Sequence, residues 1–183
     1  MKRIGWLAAA TLVAMAGTVW TEPVKNTWAK FKPGTTIKIK NSTSGSIGSM
    51  KFEENSTITS TLKEVTESEV VITKITEVTR MMNGQVQKQK PLETWPHYPI
   101  MAEPPPEPEG EVVETGEEEL TISSRKFKCK WTQRIQNVEE NQVTSKTWTS
   151  DDMPGGLVKL EMSSEGKHKR VMRGEVFEVD IKE

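Results

Sequence analysis

Residues 125–135 read Arg-Lys-Phe-Lys-Cys-Lys-Trp-Thr-Gln-Arg-Ile. Phe127, Cys129, Trp131 and Ile135 share one parity, and Lys126, Lys128, Lys130, Thr132 and Arg134 share the other. A β-strand turns successive side chains to opposite faces. A period of two therefore puts the first set on a core face and the basic set in water. A helix would scatter the same lysines around its circumference. This stretch decides for sheet.

The alternation recurs to either side. Phe177, Val179 and Ile181 alternate with Glu178, Asp180 and Lys182, and Ile37 and Ile39 with Lys38 and Lys40. Ile58, Ser60 and Leu62 make one face, with Thr57, Thr59, Thr61 and Lys63 opposite. At Val70-Val71-Ile72 three apolar residues are consecutive, so that strand is either covered on both faces or bulged. Residues 142–150 and 157–163 complete the set. Lys32-Pro33-Gly34, Asn83-Gly84 and Met153-Pro154-Gly155-Gly156 supply turns. No helical pattern intervenes between strands, except that Val24 to Phe31 suits a short helix or turn. The expected fold is all-β: an antiparallel, strongly curved sheet or half-barrel with few or no helices.

The chain has 183 residues, enough for one domain, and a net charge of −1 from 25 Lys+Arg and 26 Asp+Glu. That balance argues against a nucleic-acid binder. Lys2 and Arg3, then an apolar run from Ile4 to Ala16 ending in Ala14-Met15-Ala16, have the layout of a secretory signal peptide. A cleaved signal and a retained N-terminal anchor both fit. Cleavage removes two positive charges and moves the net charge to −3. The expected organisation is a signal peptide at 1–16, an N-terminal segment at 17–32 and a single β domain at 33–183. An acidic, Pro-rich loop at about 91–119 interrupts the domain. Seven of the ten prolines lie there, and residues 102–119 hold eight Glu and no Lys or Arg. Missing ladder donors and like-charge repulsion both oppose a packed strand. Trp95, His97 and Tyr98 are placed to pin the start of this segment to the body.

Candidate chemistry is sparse. Cys129 sits mid-strand among inward residues, the place of a buried, inert thiol. His97 and His168 are the only histidines, and one Cys with two His cannot build a Cys/His zinc site. No nucleophile elbow, phosphate loop or dinucleotide fingerprint occurs. The chain reads as a non-enzyme with no metal and no cofactor. Two basic groups stand out: the surface stripe Arg125, Lys126, Lys128, Lys130 and Arg134, and the cluster Lys167, Lys169, Arg170 and Arg173. A solvated face balanced by Glu on neighbouring strands and an anion-binding face both fit them.

The strand around Cys129, the Lys146-Thr-Trp-Thr-Ser-Asp-Asp-Met-Pro-Gly-Gly-Leu-Val-Lys159 segment and a paired strand through Phe177-Glu-Val resemble exported bacterial β-proteins of unassigned function. The wider architecture is similar to lipoprotein-carrier (LolA/LolB-like) half-barrels, although the helices that cover that family's concave face are not evident. The resemblance implies an exported, periplasmic or extracellular protein. It implies a lipid or other apolar ligand on a concave face, lined by Phe127, Trp131, Trp148, Leu160, Phe177 and Val179. These residues equally suit a filled core. The alternative is an envelope or extracellular module that binds another protein through its acidic loop, basic stripe or sheet edge. Neither expectation includes nucleic acid or, after signal removal, a transmembrane span.

Overall fold

The computed structural model describes residues 24–47, 50–102, 109–166 and 169–182. The signal segment, His168 and Lys167 lie outside the described residues. Among the described residues thirteen strands run β1 (Val24–Lys25), β2 (Thr36–Ile47), β3 (Met50–Val65), β4 (Glu69–Met82), β5 (Gln85–Lys88), β6 (Leu92–Thr94), β7 (His97–Pro99), β8 (Met101–Ala102), β9 (Glu111–Ile122), β10 (Arg125–Val138), β11 (Asn141–Thr149), β12 (Leu157–Gly166) and β13 (Arg170–Asp180). The described residues contain no α-helix, only a 3₁₀ turn at Thr27–Lys30. The protein is all-β, built on one antiparallel sheet of eleven strands that does not close into a barrel.

The sheet is two meanders joined at their ends. Its order is β5-β4-β3-β2-β13-β12-β11-β10-β9, with β6 and β7 also paired to the outer edge of β4. The first long strand and the last therefore pair in the middle, with Ile39 opposite Val176 and Ile37 opposite Val179. Tight turns connect the long strands. Asn83 and Gly84 both have positive φ and form the two-residue hairpin between β4 and β5. Ser123 and Ser124 do the same between β9 and β10, although neither is glycine. The backbone N–H of Val179 donates to Ser123 Oγ at 3.0 Å, so the β9–β10 turn reaches back to β13. The C-terminal meander is thus curled on itself.

The core lies at one end of the sheet. Ile37, Leu62, Val70, Ile72, Ile122, Phe127, Cys129, Trp148, Val158, Val176 and Val179 all come from that end of their strands, and Trp28 and Met153 plug it. Asn26 caps the 3₁₀ turn by accepting from the Trp28 N–H at 3.1 Å. Trp28 then packs on the turn after β11, where a Cβ on Gly155 would come within 2.9 Å of Trp28 Nε1. Val70, Val71, Ile72 and Thr73 are all buried, with Val71 outside the main core cluster, so this strand is covered on both faces. A register shift opposite it, between Leu62 and Glu64, leaves Lys63 as the extra residue. Of the two alternatives at Val70–Ile72 the first holds: β4 is covered on both faces, and the bulge lies on the neighbouring β3.

Two expectations need correction. Residues 111–119 are strand β9, not loop. Every proline of the segment precedes Gly110, and two of the glutamates face opposite charge: Glu119 pairs with Lys128 and Glu117 with Lys130. Cross-strand attraction outweighs repulsion along the strand. Leu92–Thr94 and His97–Pro99 are also short strands, and their prolines are tolerated because they sit at an edge. Trp95, His97 and Tyr98 do pin this stretch. Lys63 Nζ lies 5.6 Å over Trp95, His97 Nδ1 is 3.1 Å from Glu69 Oε2, and Tyr98 Oη accepts from Lys74 Nζ at 2.7 Å.

The second correction is Phe177. Its parity with Val179 predicts an inward side chain, but the register slips between Val176 and Glu178, so Phe177 is the extra residue of a bulge. Val176 takes the buried place and Phe177 is 45% exposed.

Candidate functional site

Of the six expected lining residues, Phe127, Trp148 and Val179 are buried in the core cluster. Trp131 packs against it from the side, Leu160 is half-buried outside it, and Phe177 turns away. The structure brings Trp131 and Trp148 directly together as register partners on β10 and β11. Their face carries charges that apolar periodicity alone did not reveal. Lys146 Nζ sits 3.5 Å over the Trp131 ring and 5.0 Å from that of Trp148. Lys159 Nζ sits 4.5 Å from the Trp148 ring and 2.9 Å from Glu161 Oε1. Trp148 Nε1 donates to Glu118 Oε1 across two strands. The signal for Lys146 was present in the sequence, since it shares parity with Trp148.

This lattice ties β9, β10, β11 and β12 together through their side chains. Each ammonium–indole contact contributes about 0.5–2 kcal/mol, depending on how dry it is. The indole of Trp131 also lies over Gly116, its register partner on β9, where a Cβ would come within 2.5 Å of the ring. Phe52 covers Gly45 and Asn41 covers Gly174 in the same way, each pair in direct register. A large cross-strand side chain shields the bare backbone in every case. The arrangement holds strands in place.

Cys129 is buried and its thiol lies 3.5 Å from the Phe127 carbonyl oxygen. Burial pushes its pKa up, with Glu118 adding to the shift against a backbone hydrogen bond from Leu120 that lowers it. A thiol held protonated is a poor nucleophile.

The basic stripe lies along β10 beside the acidic strand β9. Lys126 Nζ is 2.7 Å from Glu119 Oε1, and this partner raises the Lys126 pKa. Arg134 Nη1 donates to the Gly110 carbonyl at 3.2 Å. Lys128 and Lys130 stand opposite Glu119 and Glu117, and Arg125 closes the hairpin opposite Ile122. On this face the charges alternate between strands. On the other face of β9 they do not: Glu114 stands opposite Gln133 and Glu118 opposite Cys129. Among the described residues β9 pairs with β10 alone, so the outer backbone edge of this twelve-residue strand is open. All of its residues are exposed except Gly116, Leu120 and Ile122. A register shift at Val113 twists its start.

Among the described residues no helix is long and apolar enough to cross a membrane. The chain matches no protein-family model, no curated protein and no solved structure.

Proposed function

We propose that this is an exported, non-enzymatic binding module that receives an extended segment of another protein along the outer edge of β9. The observation that carries the reading is the edge of β9, unpaired among the described residues, with Glu114 opposite Gln133 and Glu118 opposite Cys129 on one face. Backbone N–H and C=O groups along such an edge pair with an added strand, and side-chain pockets at alternate positions supply selectivity. Edge glutamates oppose self-pairing of two β9 strands by like-charge repulsion. The same charges favour a strand with Lys or Arg at every second position, laid beside Glu114 and Glu118. The apolar-ligand reading has less support. Half of its lining residues fill the core, and Phe177 points elsewhere.

The test uses a synthetic peptide of alternating Lys and Val, followed by amide hydrogen exchange. Slowed exchange confined to residues 112–120, weakened by salt and lost in a Glu114→Lys variant, supports strand addition. Unchanged exchange along β9 overturns it.

A further inference from the structure

The end of the sheet opposite the core carries a different surface. There β3 stays paired with β2 as far as Met50 and Ile47, and with β4 and β5 it makes a ribbon that ends at the Asn83-Gly84 turn. Four large apolar side chains are exposed on it: Met50 at 46%, Met82 at 47% and Val86 at 61%, with Met81 beside them. The register distributes them over both faces. Met82 pairs with Phe52, while the next residue, Met81, pairs with Val86 on the opposite face. A hollow of about 670 Å³ opens here, lined by Gly45, Phe52, Met81, Asn83 and Lys169 among others.

The charge is mainly positive. Residues 78–92 contain Arg80, Lys88 and Lys90 and no acid, and residues 41–53 contain Lys51 and one acid, Glu53, which stands opposite Met81, lines the hollow and accepts from Asn55 Nδ2. Arg80 is engaged by Glu54. Lys51, Lys88 and Lys90 are exposed.

The geometry points to the tip of this ribbon as a docking site for the surface of an anionic lipid bilayer. A flat protein partner covers one face of a ribbon and leaves the other in water. The fluid boundary between headgroups and acyl chains surrounds both, so methionine and valine on opposite faces are buried together. The flanking lysines then lie at headgroup level, where each adds about fivefold to binding of an anionic surface. The site is separate from the β9 edge and does not depend on it.

The test is local to the tip. In the full chain, Val86→Cys is labelled with an environment-sensitive fluorophore; Cys129 is buried and stays unlabelled in the native protein. Addition of mixed phosphatidylcholine–phosphatidylglycerol vesicles is expected to shift the emission to the blue. The apparent affinity should fall about twentyfold when Lys51→Glu and Lys88→Glu are combined, or when pure phosphatidylcholine is used. The same label at Val138→Cys, an exposed apolar position in the β10–β11 hairpin beside Glu139 and Glu140, is expected to stay unshifted. No shift at position 86, or an equal shift at 138, overturns the proposal. A shift that survives both lysine reversals overturns it as well.

Discussion

The two ends of this sheet use the same strands in opposite ways. At one end β2, β3, β4, β10, β11 and β13 put Ile37, Leu62, Ile72, Phe127, Trp148 and Val179 into a common core, plugged by Trp28 and Met153. At the other end β3 and β4 continue, joined by β5, and Met50, Met82 and Val86 stand in solvent. Alternation along a strand sets which side of the backbone a residue takes. It does not set whether anything covers that side. Turns and segments that cross the sheet decide that, and here they gather at one end.

This comparison fails if both ends contribute equally to stability. The largest expected effect is at the plug: Trp28→Ala should cost about 3–5 kcal/mol, because a buried indole is replaced by a cavity. Val86→Ala at the far end should stay within about 0.5 kcal/mol. Urea unfolding of the two variants checks the contrast, and equal midpoints would refute it.

The glycines sharpen it. Gly116→Val forces a side chain into the Trp131 ring and should cost about 1–3 kcal/mol, read by unfolding and by a change in tryptophan emission. A Cβ at Gly84 meets nothing within 4 Å, so Gly84→Ala carries only the strain of its φ of +80°, about 1 kcal/mol. A larger loss at Gly84 than at Gly116 would mean that the ribbon, not the core end, governs stability.

Cys129 gives a smaller effect with a defined sign. Its folded pKa lies above the unfolded value, so the unfolded chain loses its proton first as pH rises. The stabilisation is complete below the ordinary thiol range of about 8.5 and declines as pH climbs from there through the raised folded value. Stability measured across that window should fall for the native chain and show less slope in Cys129→Ala. Native Cys129 should also resist thiol reagents that modify it readily in denaturant. The smallest effect is at the surface: Lys126→Ala removes an exposed ion pair with Glu119 and should leave the melting temperature unchanged.

Much of the sheet was legible because its strands keep strict parity. Ile37, Leu62, Phe127 and Cys129 are buried where alternation puts them. The missed positions lie at bulges and charge pairs. Phe177 fails because one extra residue in β13 reverses the parity beyond it. Residues 111–119 fail because the lysines that neutralise Glu117 and Glu119 belong to the next strand. Ser123-Ser124 carries no glycine to announce a hairpin, yet both residues adopt positive φ. Of the candidate site, the basic stripe was legible, whereas its partner, an acidic strand with an open edge, was not.

By itself the sequence determined the class of fold, the faces of most strands and the alternation of charge with apolar side chains. These follow from a two-residue period that the strands obey between their bulges. Only the tertiary structure decided which end of the sheet is covered, which strand is left at the edge and which carboxylates lack a basic neighbour. Those depend on register and on pairing between residues far apart in the chain, such as Val179 with Ile37. No local period carries that information.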